Sequence, residues 1–367
     1  MVTIGKMITF RVNSRETPEA GKAVLDGVSV IGGREWDHFL RNCHYCHHEQ
    51  SSQYAANRAA YGYHCDRVVV GNGDRIVGGA QVLVQATPLG KFAHIQRAPL
   101  AVDDDSQVLR QVVQKLEEMA IANGYRSVRV DLFPHQTAAF KVLEEAGFVC
   151  SNLWSSAMGS VVVPLNYTDE ELLAGMHKKV AYEVRRARNK GAMVLTGSEN
   201  AVDEFYQLHQ ATASYQEFPI FPREYFAYLW RTFGQIGMVQ PFIAYYNDKP
   251  IAALFNVIVG DHMYFGWGGM RRDSDAKKIR VNYLLHMTAM AWAREHGCRR
   301  YDFAGTQPFK QWFAMEIVQW PHALRKVYGP AAAWRWKMMS MSDNSPFIKR
   351  LAKKASYKLG FSQRMPV

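Results

Sequence analysis

No run of about 18 apolar residues occurs anywhere in this 367-residue sequence, so no membrane-spanning helix is expected. Met1–Arg15 lacks a compact apolar stretch followed by small residues, which predicts no secretory leader and a cytoplasmic chain. Cysteine is sparse: five residues, an odd number, do not make a disulfide framework and fit a reducing compartment. Low-complexity tracts and long blocks of like charge are missing too, which removes the case for extended disorder. Acidic residues are the minority charge, 33 against 44 Lys and Arg, and the resulting +11 favours polyanionic partners: tRNA, nucleotide-linked substrates or an anionic bilayer.

One cluster invites a metal reading. Cys43-His44-Tyr45-Cys46-His47-His48 has the C-x-x-C-H pattern of covalent haem attachment, and His64-Cys65 follow. Haem attachment of that kind needs export, and adjacent residues such as His64 and Cys65 make a poor second pair for a zinc ion. The run is therefore expected to be half-buried Cys and His at the end of a helix Glu35–Arg41, with neither a metal nor a bound cofactor.

What is present suffices for two domains, since single cores rarely grow past about 250 residues. The first half predicts strands Ile8–Val12, Arg67–Val70, Ile76–Gln85, Phe92–Pro99 and Ser127–Leu132, with helices Gln53–Ala60, Ser106–Asn123 and Gln136–Ala146. Gly71-Asn72-Gly73-Asp74 is a tight turn between β-branched runs, and Asn123-Gly124 closes a helix whose Val108, Val112, Leu116 and Met119 share one face. This order, ending in Gly147-Phe148 and a last strand Ser160–Leu165, resembles the GNAT superfamily. The second half repeats it: helices Asp169–Lys190, Ala201–Ser214 and Arg223–Phe233, strands Gln240–Tyr246, Ile251–Val259 and Met263–Gly268, helix Val281–His296 and strand Arg300–Phe303. The expected fold is α/β, two tandem GNAT-like domains over 1–163 and 164–343, each a mixed, mostly antiparallel sheet flanked by helices. The boundary falls where Pro164 and Asn166 break the pattern before Asp169 caps a helix, and 344–367 forms a basic amphipathic C-terminal helix.

Several blocks are similar to the Fem family of nonribosomal peptidyltransferases. They are Ser52-Gln53-Tyr54-Ala55, the strand end Gln96-Arg97-Ala98-Pro99, the basic helix Lys178–Gly191, Asn282–Gly305 with its Tyr301-Asp302-Phe303-Ala304-Gly305, and Pro308-Phe309-Lys310-Gln311-Trp312-Phe313. The resemblance implies a compact aminoacyltransferase that takes its donor from aminoacyl-tRNA and delivers it to an amine of a small molecule or cell-wall precursor peptide. It also implies that Lys310 is catalytic, with Phe309 in support.

Chemistry supports the same residue independently. Acyl transfer passes through a tetrahedral oxyanion, and a lysine fixed beside an aromatic past a strand end places positive charge where that charge develops. Otherwise Lys310 is a solvated surface lysine and Phe309 a packing residue. Asp302, at a strand's carboxyl end, is either a general base for the attacking amine or a hydrogen-bond partner of the Gly305 turn. Neither half carries the glycine-rich loop with which acetyl-CoA-dependent enzymes grip pyrophosphate, and Asp103, Asp104 and Asp105 would repel one in the first half. In the second half Arg271, Arg272, Lys277, Lys278 and Arg280 either hold phosphates of a tRNA end or form a solvated loop. The helix Asp169–Lys190 sets Leu172, Leu173, Met176, Val180 and Val184 on one face and its cations on the rest, a polyanion face or plain solubility.

For the acceptor, the resemblance directs attention to Arg97, Arg223, Tyr225 and Tyr264, each of which could instead serve packing. The family's Arg-x-x-x-Tyr spacing is not kept near Arg223, because Phe221 stands four residues before Tyr225. The basic tail either touches the inner face of an anionic membrane peripherally or packs on the first domain. Two rival functions remain at this level: an acyl-CoA or acyl-carrier dependent N-acyltransferase acting on an amino sugar of a polysaccharide, and a non-catalytic RNA- or membrane-binding derivative of the fold.

Overall fold

The computed structural model describes residues 24–25, 28–29, 31–151, 159–197, 200–271, 278–319 and 323–329. The chain forms two compact units, one built on the stretch up to Ser156 with the segment from Pro321 onward, the other on Ala157–Trp320. No described helix is long and apolar enough to cross a membrane.

The first unit opens with the two-residue antiparallel strands β1 (Val24–Leu25) and β2 (Val28–Ser29). Helices α1 (Gly33–Arg41) and α2 (Ser52–Ala59) follow, the second capped by the Ser51 hydroxyl, which accepts the Tyr54 N–H. The sheet then runs through β3 (Tyr63–Asn72), β4 (Arg75–Thr87), β5 (Gly90–Gln96) and the short β6 (Leu100–Ala101). Asn72 pairs with Arg75 across Gly73-Asp74, the expected tight turn. Helix α3 (Ser106–Ala122) carries the chain over to β7 (Tyr125–Asp131), parallel to β5, and buries Leu109, Val112, Leu116 and Met119 on the way. Helix α4 (Thr137–Glu145) and strand β8 (Val149–Ser151) complete the run. Trp36, fully buried, donates its indole N–H to the Gln50 carbonyl at 2.6 Å and anchors α1.

The second unit begins with β9 (Gly159–Pro164), α5 (Asp169–Gly175), α6 (Lys178–Asn189) and the edge strand β10 (Met193–Thr196). Helices α7 (Ala201–Gln216) and α8 (Arg223–Leu229) precede the meander β11 (Val239–Tyr246), β12 (Lys249–Val259) and β13 (His262–Met270). Helix α9 (Asn282–Glu295) crosses to β14 (Arg300–Asp302), parallel to β13, and β15 (Glu316–Gln319) closes the sheet. The order is β10-β11-β12-β13-β14-β9-β15, antiparallel apart from the β13–β14 pair. Its core joins Val161, Leu172, Val184, Phe242, Leu285 and Phe313.

Three expectations are corrected. The strand expected to end the first half is β9, which pairs with β14 and β15 in the second sheet; its place in the first sheet is taken by β16 (Ala323–Val327), inserted between β7 and β8. The two units divide at Ser156/Ala157 and at Trp320/Pro321. The single helix expected over Asp169–Lys190 is two, broken where Met176 is extended between Gly175 and His177. Its cap is Thr168, not Asp169: the Thr168 hydroxyl accepts the Glu171 N–H and the Glu171 carboxylate accepts the Thr168 N–H. The expected strand Ile8–Val12 and the C-terminal helix 344–367 lie outside the described residues.

Candidate active site

The site of the second unit grows from a mismatch in strand length. β14 pairs with β13 only at His262–Tyr264, while β13 runs on to Met270. Beyond Asp302 the chain leaves β13 and bonds to β9 instead, through Phe303 N–H to the Val161 carbonyl at 3.0 Å and Val161 N–H to the Gly305 carbonyl at 3.1 Å. From Phe265 onward β13 thus has no described strand on that side. In α/β sheets such a parting of parallel strands at their carboxyl ends is where reacting groups collect.

Asp302 secures the turn that makes this possible. Ala304 is left-handed at φ 51° and Gly305 stands at φ 147°, a conformation that favours glycine. The buried Asp302 carboxylate accepts the Ala304 N–H at 2.7 Å and the Ser160 hydroxyl, whose oxygen accepts the Gly305 N–H at 2.9 Å. Of the two readings open for Asp302, the geometry displays the turn.

Lys310 opens the one-turn 3-10 helix Lys310–Phe313 and is only 5% exposed. It is not a solvated surface lysine. Its Nζ donates to the Phe303 carbonyl at 2.5 Å and lies 5.1 Å from the Phe265 ring, while Phe309 is 41% exposed. Burial pushes the ammonium down to about 8, against a smaller pull upward from the Asp302 carboxylate.

Sequence reasoning missed the floor of this site. His286 on α9 is buried against Phe265, Phe303 and Phe313, and its Nδ1 meets the Tyr301 hydroxyl at 2.8 Å. Tyr301 in turn takes the Asn256 amide at 3.3 Å. Burial first, and then the charge of Lys310, push the imidazole down to about 3, so it is neutral. A histidine among Leu284, Leu285, Met287, Ala289 and Met290 was the available signal: a polar ring on an apolar face needs a partner.

The donor and acceptor candidates are scattered. Arg272 and Lys277 lie outside the described residues; Arg271 is half-buried and Lys278 exposed. Arg280, left-handed at φ 52°, bonds the buried Glu183 of α6 at 2.9 Å, and so joins the loop before α9 to the basic helix. Next to Lys310, the Trp312 carbonyl accepts the His177 N–H at 3.0 Å and the Trp312 ring carries Lys179 Nζ at 3.5 Å.

Tyr225 is fully buried, stacked at 4.3 Å on Phe221 and edge-on to Trp267. Tyr264 is 4% exposed beside His262. Both rings are engaged in packing. Arg223 pairs at the surface with Asp203. Arg97 belongs to the first unit, left-handed at φ 59°, bonded to Glu49 at 3.1 Å and 4.3 Å over Phe133. Burial would raise the Glu49 carboxyl, yet Arg97 and His47 hold it well below the usual carboxylate range. Cys43 and Cys46 are buried, their thiols pushed up by desolvation, and no three His, Cys, Asp or Glu side chains converge as metal ligands among the described residues.

Comparison with known proteins places this geometry. The model of the FemAB family matches residues 31–145, within the first unit, and that of the acetyltransferase (GNAT) domain matches 174–311, within the second. The lipid II:glycine glycyltransferase of Staphylococcus epidermidis is 19% identical over 330 residues, covering 70% of this chain and 79% of the relative. The same enzyme from Staphylococcus aureus is 21% identical over 358 residues, with 76% and 84% covered. Among solved structures, FemX aligns with a TM-score of 0.64 at 17% identity, over 81% of this chain and 96% of FemX. The C-terminal domain of a putative lysylphosphatidylglycerol synthetase from Agrobacterium fabrum aligns at 0.54 and 14% identity, over 78% and 91%. With a FemAB match on one unit, a GNAT match on the other and relatives that span both, the chain is an acyltransferase of two GNAT-like units that is similar to the Fem enzymes.

Proposed function

We propose that this enzyme moves an aminoacyl group from aminoacyl-tRNA to an amine of a cell-wall precursor peptide, with Lys310 as the catalytic cation. The observation that carries the reading is the placement of Lys310: a buried ammonium beside the strand edge that β14 leaves open. In the transfer the neutral amine attacks the ester carbonyl, and the carbonyl oxygen becomes an oxyanion. The C–O bond to the ribose then breaks, and the proton lost by the amine ends on the departing hydroxyl. One Lys310 N–H is held by the Phe303 carbonyl, leaving two for the oxyanion. In a site from which water is excluded, such a donor contributes more than it would in water. Asp302 is occupied in holding the turn and is assigned no proton transfer.

The relatives named lipid II:glycine glycyltransferases support the precursor-peptide acceptor. In the first unit the N-terminus of α3 is capped by the Asp105 carboxylate, which accepts the Gln107 N–H at 2.7 Å, so that helix end offers no anion site for an acyl-CoA pyrophosphate. The test is transfer of labelled amino acid from a charged tRNA pool to a precursor pentapeptide amine, with acetyl-CoA and amino sugars in parallel. Transfer from tRNA that Lys310→Ala abolishes without changing the circular dichroism spectrum supports the reading. Transfer from acyl-CoA alone, or full activity of Lys310→Ala, overturns it.

A further inference from the structure

The helix beside the catalytic lysine carries a feature that the chemistry at Lys310 does not use. On α6, residues 178, 182 and 185 fall on one stripe at helical spacing, and all three, Lys178, Tyr182 and Arg185, are exposed. Tyr182 is 58% exposed and makes no ring contact or hydrogen bond among the described residues. The only carboxylate on α6, Glu183, is buried and bonded to Arg186 and Arg280, so it cancels no charge on that stripe. Lys179, on the neighbouring row, is drawn over the Trp312 ring at 3.5 Å, two residues from Lys310. An exposed aromatic between cations that pair with no carboxylate among the described residues, tied to the turn that holds the catalytic lysine, matches what a single-stranded nucleic acid needs: charge along the phosphates and a ring on which a base stacks.

We propose that the Lys178–Tyr182–Arg185 stripe of α6 is the track for the single-stranded 3′ end of the donor RNA, with Tyr182 stacking on a base and the two cations on flanking phosphates. This rests on the tRNA reading of the active site and adds to it where the RNA lies. Trp312 acts as the hinge between track and site: by holding Lys179 and the His177 N–H it sets the first turn of α6 against the Lys310 turn. An anionic membrane would also be drawn to the cations, but it offers nothing for a tyrosine flanked on both sides by charge to stack on.

The probes are an uncharged acceptor-stem RNA hairpin with its four-nucleotide single-stranded tail and the same hairpin cut blunt. The full chain is used as wild type, Tyr182→Ala, Tyr182→Phe and Lys178→Gln/Arg185→Gln, all at solvent-exposed positions. Wild type should prefer the tailed hairpin. Tyr182→Ala should lose about tenfold on it and nothing on the blunt one, while Tyr182→Phe keeps the preference. The double glutamine variant should flatten the dependence of log K on log salt by about 0.7 per lost contact. A wild type that prefers the tail with variants that bind it equally well overturns the track and leaves the tRNA reading intact. Equal weakening toward both hairpins overturns the stacking and reduces the stripe to unspecific charge. A wild type that binds neither hairpin but binds phosphatidylglycerol vesicles overturns both track and tRNA reading.

Discussion

Lys310 and Phe303 are joined side chain to main chain, Nζ to carbonyl, at 2.5 Å inside a wall of aromatic rings. The bond ties the Lys310 ammonium to the residue that follows β14, so the position of the charge depends on the turn that Asp302 and Ser160 secure. Three consequences concern stability and two concern rate.

Burial that lowers the Lys310 ammonium from 10.5 to about 8 is a cost to folding whenever the lysine is charged. Below about pH 8 the proton is bound in both states and the full cost applies. Between about 8 and 10.5 the unfolded chain holds the proton and the native one releases it, so stability rises with pH. Relative to Lys310→Met, wild type should therefore gain up to about 3 kcal/mol between pH 7 and pH 10.5 in urea unfolding. A stability difference that stays flat across that window would show the lysine to be well solvated.

His286 gives a dependence of the same sign in an acid window. Its imidazole is held down to about 3, so as pH falls below about 6.5 the unfolded chain takes a proton that the native chain refuses, and stability is lost. His286→Phe should remove that acid sensitivity but leave the Tyr301 hydroxyl without its imidazole partner, at about 1–3 kcal/mol near neutral pH. Adding Tyr301→Phe should recover only part of the loss, since it removes the unpaired hydroxyl but takes the partner of the Asn256 amide with it. A double variant no more stable than His286→Phe alone would mean that the ring shape, not the hydrogen bond, is what α9 contributes.

Ser160→Ala separates the two readings of Asp302. If the carboxylate holds the turn, removing the hydroxyl that bridges it to Gly305 should depress transfer by a factor comparable to that of Asp302→Asn, since both displace the Phe303 carbonyl. If Asp302 is a base, Asp302→Asn should abolish transfer while Ser160→Ala stays near wild type. Measuring kcat for the two variants decides it.

Much of this was legible in the residues. Hydrophobic periodicity and turn chemistry placed α3, α9 and the β11–β13 meander, and the blocks Tyr301-Asp302-Phe303-Ala304-Gly305 and Phe309-Lys310 do lie together in the second unit. What escaped depends on tertiary pairing. β9 and β16 are apolar or mixed runs that fit either sheet, and only their partners decide which. The burial of Lys310 and the partner of His286 are set by rings distant in sequence. The burial of Tyr225 and Tyr264 escaped too, because an aromatic's position in the sequence does not tell what covers it.

Gly269 supplies a packing test. A Cβ there would sit 2.3 Å from the backbone nitrogen of His209 and 2.4 Å from the Leu208 carbonyl carbon, main-chain atoms of α7 that cannot rotate away. Gly269→Ala should push α7 off β13 and cost about 1–3 kcal/mol or more in thermal or urea unfolding. Wild-type stability in that variant would mean the helix slides freely on the strand.

The rate prediction turns on which protonation state of Lys310 works. An oxyanion partner must carry its proton, so with an ammonium that dissociates near 8, kcat should fall about tenfold per pH unit above that value. A base would do the reverse and gain rate through the same range. The incoming amine complicates the acid limb, because it must lose a proton to attack, but it only raises rates with pH and cannot produce a fall. Lys310→Arg then isolates the cation: guanidinium keeps its charge past pH 12, so whatever activity survives its bulk should no longer decline near 8. A decline that persists unchanged in Lys310→Arg would assign the titration to another group and return Lys310 to a structural part.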